Sequence, residues 1–262
     1  MSPIAAGADG FEAPGVADFW KPMFGTDGAF AITWPGVLVL LSAILIGGGL
    51  VLATRRLAVV PSRGQFITES VYNLVRNSVA RDVIGSRDFL KYTPLLFSLF
   101  VLILINNLFG VIPPIQFPTM SRVGIPAALT VVVYLLYHGI SIRRHGLGGW
   151  FKSMIPSGLG LGMLVIIFPL ELVTYFFTRP VTLALRLFGN MFAGHLLLLL
   201  FITGGEYLIF DAAGFGMKIA GGVSFVMGFV MTVFEILVEF LQAYIFTLLA
   251  ALYIAGALAD EH

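Results

Sequence analysis

Residues 179–195 read RPVTLALRLFGNMFAGH and lie inside an apolar run that extends from about residue 160 to about residue 203. A second run of similar length covers about residues 217–258. As single helices, both would be roughly 60 Å long, about twice the thickness of a bilayer core. Each run is therefore either two membrane spans or one steeply inclined helix.

The polar residues favour one inclined helix in each run. The only break in the first run is the tripeptide TRP at 178–180. In regular helix geometry the polar residues around it share an arc of about 120°; they are Thr178, Arg179, Thr182, Arg186 and Asn190. A single helix kinked at Pro180 preserves that stripe. The second run carries a stripe within about 60°, made of Glu235, Glu239, Gln242 and Tyr253, so the two helices are expected to face each other or a common cavity.

The composition is that of an integral membrane protein. The 262 residues are 58% hydrophobic and 11% charged, against roughly 25% charged in soluble domains. The chain has no cysteine, which excludes disulfides, thiolate metal sites and cysteine nucleophiles. It also lacks a phosphate-binding glycine loop, a cluster of metal ligands and a nucleophile with its base. We therefore expect no cofactor, no nucleic-acid partner and no catalysis by the chain alone.

Three further apolar segments complete a prediction of five transmembrane spans in one all-α, polytopic membrane domain, residues 31–262. The spans are about 31–53, 92–112, 123–142, 160–203 and 217–258. Residues 61–88 mix charges with apolar residues at three- and four-residue intervals, which predicts an amphipathic helix on the membrane surface. A soluble hairpin is the alternative. Residues 1–30 are predicted to be a polar tail.

The basic residues predict the orientation in the membrane. Ten of the fifteen Lys and Arg fall in the loops after the first and third spans. By the positive-inside rule these loops are cytoplasmic, the N-terminus is outside and the C-terminus is inside. The chain is expected in the plasma membrane of a bacterium.

Arg186 is the most informative of the intramembrane polar residues. A charge in this context is energetically expensive and usually functional. Arginine keeps its proton, so Arg186 cannot relay protons but can attract a deprotonated carboxylate. The alternative is that it pairs with a nearby glutamate and holds helices together.

The chain also supplies groups that can bind and release protons near neutral pH. They are Glu171, His195, Glu235 and Glu239. His195 and Glu235 could equally form a helix-to-helix hydrogen bond. On a helical wheel His195 is about 180° from Arg186, so the two need not line one cavity.

These residues belong to segments that resemble subunit a of the F-type ATP synthase. The matching segments are RPVTLALRLFGNMFAGH at 179–195, LVEFLQAYIFTLLAALY at 237–253, NNLFGVIP at 106–113 and GLGGW at 146–150. In family order they cover about residues 30–262. Two departures are visible: NNLFG lacks the acid found there in some bacterial relatives, and the spacing from Glu171 to Pro180 differs by one residue.

The resemblance implies a proton-translocating stator subunit with two offset half-channels. Arg186 would face the carboxylate of each passing subunit c, with Gln242 beside it and Asn190 in the proton path. His195 and Glu235 match two family positions that elsewhere carry the reversed Glu and His pair. Glu171 and Glu239 are further candidates for the entry path. The implied partners are the subunit c ring, the subunit b stalk and the rest of the synthase, with protons and the lipid bilayer.

Two other function classes remain as alternatives. A secondary transporter could bind an anionic solute at Arg186, and it predicts an inverted repeat between halves, which is not visible. A polytopic membrane enzyme needs clustered acids, His or Ser at an interface, and these are missing from the sequence.

Overall fold

The computed structural model describes residues 15, 22–24, 32–55, 58, 61–112, 117, 119–152, 154 and 161–259. Most of the predicted tail, residues 1–30, lies outside these ranges, and so does 260–262. The regular structure of the described chain is helical apart from one short antiparallel pair, β1 (Pro22–Phe24) with β2 (Ile32–Thr33). Four of its helices are long and apolar enough to cross a membrane, and a fifth apolar helix is shorter. The predicted class, an all-α polytopic membrane protein, is confirmed.

The helices of the described chain are numbered α1 to α6 in chain order. They are α1 (Trp34–Thr54), α2 (Arg63–Asn73, continuing through a π segment Leu74–Arg81 to Asp82–Ile84), α3 (Phe89–Leu108), α4 (Gly124–Lys152), α5 (Leu161–Val173, a π segment Thr174–Thr178, then Arg179–Phe210) and α6 (Phe215–Leu258).

Helix α5 runs without a break from residue 161 to residue 210, so the first long apolar run forms one helix rather than a hairpin of two spans. Its irregularity is a π turn just before Pro180, where the Arg179 N–H donates to the Thr174 carbonyl, five residues back. The helix also continues to Phe210 instead of ending near residue 203, because Gly205 packs against the backbone of Gly221 on α6.

The core lies where the C-terminal half of α6 meets α3, α2 and α4. Small buried residues on α6, including Ala243 and Ala250, let the neighbouring helices approach closely. Leu96 and Phe100 of α3 fill the facing positions. Val79 of α2 is also fully buried in this core, so α2 is attached through its apolar face.

Candidate functional site

Arg186 lies on the exposed face of α5. Exposed apolar side chains, Val181 and Leu185, flank it on the same helix. Within the part of the chain that the structure describes, Arg186 forms no ion pair. The charge is near enough to Tyr253 of α6 to act on its phenol electrostatically. An exposed arginine in an apolar face is costly against lipid, so this face suits a partner that brings a negative charge.

Asn190, one turn after Arg186, joins the exposed stripe of α5 to the buried stripe of α6. Its side-chain Nδ2 donates to Gln242 Oε1 at 2.7 Å. Gln242 is 2% exposed, and its Nε2 has no hydrogen-bond partner among the described residues. The two predicted polar stripes therefore meet at this contact. They meet again where the Arg179 guanidinium lies 5.7 Å from the ring of Tyr253.

The carboxyl group of Glu235 lies against Gly194, the residue before His195. A Cβ added to Gly194 would be 2.6 Å from Glu235 Oε1, so a larger residue there would displace the carboxyl from this position. His195 is 3% exposed and its ring hydrogen-bonds to the backbone of Gly110. The structure thus brings His195 and Glu235 to the same place between α5 and α6, on the side of α5 away from the Arg186 face.

Glu239 extends this buried group one turn along α6 and toward the end of α3. Its Oε1 lies 3.4 Å from a Cβ built on Gly110. The Nδ2 of Asn107 donates to the Glu239 backbone carbonyl at 3.3 Å. Glu235 and Glu239 are close enough to repel each other when both are ionised. Neither oxygen of the Glu239 carboxyl has a hydrogen-bond partner in the part of the chain that the structure describes.

Asn106 fixes the end of α3 beside this group, a role that sequence reasoning did not assign. Its Nδ2 donates to Ser42 Oγ of α1 at 2.7 Å, and its backbone carbonyl accepts from Thr119 Oγ1 at 3.0 Å. Gly110 and Gly194 were missed as well. A glycine beside a buried carboxylate allows close approach, but the sequence alone does not show which glycines have that neighbour.

This buried group combines titratable side chains with polar atoms that lack a hydrogen-bond partner among the described residues. Those buried atoms belong to Asn106, Asn107, Glu235, Glu239 and Gln242. Burying such an atom unpaired costs about 1–3 kcal/mol, and polar sites of this kind are normally hydrated. The group offers two carboxyls and an imidazole, all able to exchange protons with water. No described group of three or more His, Asp or Glu side chains is placed to hold a metal.

The structure places Glu171 elsewhere. It precedes His195 by 24 residues, which is about 36 Å along the helix. Its Oε1 lies 3.6 Å from Arg179 Nη2, and both side chains are about 30% exposed. The Arg179 guanidinium also sits over the ring of Tyr175 at 4.2 Å and near that of Tyr253 at 5.7 Å. Of the predicted site residues on α5, Glu171 is the farthest along the helix from His195.

A small cavity of about 10 Å³, room for one water molecule, adjoins Arg179 and Tyr253. Tyr137 and Thr130 of α4 line it, and each has a buried hydroxyl for which no described residue is a hydrogen-bond partner. Nine residues after Tyr137, the axis of α4 is interrupted at Gly146, whose φ is +71°. That reversal lets Trp150 Nε1 donate to His138 Nδ1 at 3.0 Å; nothing in the spacing of these residues predicts the contact.

Comparison with known proteins gives a consistent result. The family model described as ATP synthase A chain matches residues 36–255. The chain is 44% identical to ATP synthase subunit a of a Nocardioides species, over 98% of this chain and 96% of that one. It is 42% identical to ATP synthase subunit a of Pseudarthrobacter chlorophenolicus, over 96% and 95%. For ATP synthase subunit a of Streptomyces lividans the identity is 40%, over 97% and 90%.

Proposed function

This chain belongs to the ATP synthase subunit a family, and on that premise we propose that it is the stator subunit that carries protons to and from a ring of c subunits. As a family member it is a multi-pass membrane component of an ATP synthase. We propose further that it sits in a bacterial plasma membrane with its N-terminus outside, its C-terminus and α2 at the cytoplasmic surface, and contacts to a subunit b stalk. In this role it conducts ions and catalyses no reaction itself.

The observation that carries the proposal is the division of polar groups between two sides of α5. Arg186 is exposed on one side, among apolar residues, with no carboxylate from the described chain to neutralise it. His195, Glu235 and Glu239 are buried on the other. A carboxylate on a moving partner needs a fixed positive charge to attract it and groups that supply its proton. Arg186 offers the charge, and the buried group across α5 offers the proton-exchanging side chains.

In the proposed mechanism a proton enters from outside through the buried group of His195, Glu235 and Glu239. The contact of Asn190 with Gln242 carries the path around the edge of α5 to the exposed face. There the proton neutralises a ring carboxylate, which can then turn into lipid. Each proton that crosses supplies about 2.3 kcal/mol per 100 mV of membrane potential.

On the proposed path Arg186 has two tasks that follow from its permanent charge. It stabilises the ring carboxylate in its ionised form just after the proton leaves toward the cytoplasm. It also blocks direct proton passage between the two half-channels, because it neither releases its own proton nor accepts another.

The test is ATP-driven proton pumping in inverted membrane vesicles that carry Arg186→Ala. We expect ATP hydrolysis without coupled pumping, while Lys218→Ala, which removes an exposed charge at the start of α6, leaves pumping unchanged. Coupled pumping at the wild-type rate in Arg186→Ala contradicts the proposal. Loss of uptake of a particular anionic solute, with pumping intact, would identify a transporter instead.

A further inference from the structure

Helix α5 carries a second arginine, Arg179, to which the proposed function assigns no role. It precedes Arg186 by seven residues of regular helix, so the two lie about 20° apart around the axis and about 10 Å apart along it. Both are permanently charged. If both were uncompensated, a passing carboxylate would meet two attractive sites on one stripe instead of one.

The structure distinguishes the two arginines by their partners. Arg179 has a carboxylate, Glu171, at 3.6 Å and two aromatic rings, Tyr175 and Tyr253, over or beside its guanidinium. Arg186 has no ion pair among the described residues, and its side chain is exposed. Among the described residues, Glu171 is therefore what makes the net charge at Arg179 differ from that at Arg186.

The π turn of α5 makes this pairing possible. Glu171 and Arg179 are eight residues apart, which in a regular α-helix leaves them about 80° out of phase. A π turn accommodates about one extra residue without advancing the helical phase. The pair therefore behaves like an i, i+7 pair, about 20° apart. The π hydrogen bond from Arg179 N–H to the Thr174 carbonyl lies between the two side chains.

We propose that Glu171 is a positioning residue that neutralises Arg179, so that Arg186 is the single attractive charge that α5 presents to the ring carboxylate. This rests on the proposed function of Arg186. It assigns Glu171 an electrostatic role in place of proton transfer. The aromatic rings of Tyr175 and Tyr253 hold the paired guanidinium at the helix surface, away from the path of the carboxylate.

The experiment is a charge-removal cycle in the assembled ATP synthase in inverted vesicles. Glu171→Gln exposes the charge of Arg179, and we expect ATP-driven pumping to fall about tenfold, which corresponds to trapping by about 1.4 kcal/mol. Arg179→Gln alone removes the second charge, and we expect pumping within about twofold of wild type. The double variant Glu171→Gln/Arg179→Gln restores pumping to the level of Arg179→Gln.

A proton-carrying Glu171 would give a different result. Pumping would then be lost in Glu171→Gln and would stay lost in the double variant, which overturns the proposal. Wild-type pumping in Glu171→Gln overturns it too. Immunoblots of the vesicles check that each variant accumulates. If Glu171→Gln does not, the double variant and Arg179→Gln decide: loss of pumping in either of them contradicts the proposal.

An Arg186→Gln variant measured in parallel separates the two proposals. If Arg186→Gln pumps normally, the proposed function itself fails. If Arg186→Gln is inactive while Glu171→Gln pumps like wild type, the stator function stands and only the role of Glu171 is refuted.

Discussion

Replacing Gly194 by alanine tests whether the position of the Glu235 carboxyl matters for proton entry. The new Cβ would lie 2.6 Å from Glu235 Oε1 and 3.0 Å from its Cδ. Ordinary contact begins near 3.4 Å, so the oxygen has to withdraw by about 0.8 Å (3.4 − 2.6). Overpacking of this kind costs about 1–3 kcal/mol. The carboxyl is the end of a flexible side chain, which places the expected cost near the lower limit.

If that strain falls on the proton-transfer step, the rate drops at least about fivefold, since 1.36 kcal/mol is a factor of ten. Helix propensity works in the opposite direction, because alanine stabilises a helix by roughly 0.5–1 kcal/mol relative to glycine. Slower pumping should therefore appear without loss of assembled complex.

The assay is ATP-driven acidification of inverted vesicles, normalised to the amount of assembled complex. Gly139→Ala is the matched control, since a Cβ there meets nothing within 4 Å. If Gly194→Ala pumps at the rate of Gly139→Ala, then the position of the Glu235 carboxyl does not limit proton entry, and the reasoning is refuted.

Two further predictions concern the packing that supports the site. Gly221→Ala should lower the thermal stability of the complex, by about 1–3 kcal/mol, because its Cβ would lie 2.9 Å from the Gly205 carbonyl oxygen. A Cβ at the neighbouring Gly222 meets nothing within 4 Å, so Gly222→Ala should leave the stability of the complex unchanged. Equal melting temperatures for Gly221→Ala and Gly222→Ala would contradict the predicted packing of α5 on α6. Trp150→Phe removes the hydrogen bond to His138, worth about 0.5–1.5 kcal/mol, and should speed proteolysis of the segment that follows Gly146. Unchanged cleavage would show that this hydrogen bond does not hold the segment.

The long helices could be predicted because each corresponds to a long apolar run in the sequence. In the first run the polar stripe keeps its phase through Pro180, which indicates one continuous helix. Both long runs are helical in the structure, as α5 and α6. The end of α5 was less predictable. The segment after residue 203 contains two glycines and a glutamate, which read as a loop, yet the packing of Gly205 against Gly221 extends the helix.

The candidate site likewise has residues that the sequence identifies and contacts that it does not. Arg186 and Gln242 stand out in the sequence because polar residues in an apolar run are rare. The pairing of Glu171 with Arg179 could not be predicted from the sequence, because a helical wheel with 3.6 residues per turn does not represent a π turn. Predicting the close contacts of the Glu239 and Glu235 carboxyls with Gly110 and Gly194 requires knowing which helices touch, and this depends on the whole fold.

The central claim, that the Arg186 face is covered by the ring, is tested most directly by disulfide cross-linking. The chain has no cysteine, so one introduced cysteine is unique in this subunit. Thr182 is exposed one turn before Arg186, and Leu40 of α1 is 68% exposed and serves as the control. With a second cysteine beside the carboxylate of subunit c, oxidation of the intact complex should cross-link Thr182→Cys efficiently and Leu40→Cys not at all. Cross-linking through Leu40→Cys, with none through Thr182→Cys, would contradict the account.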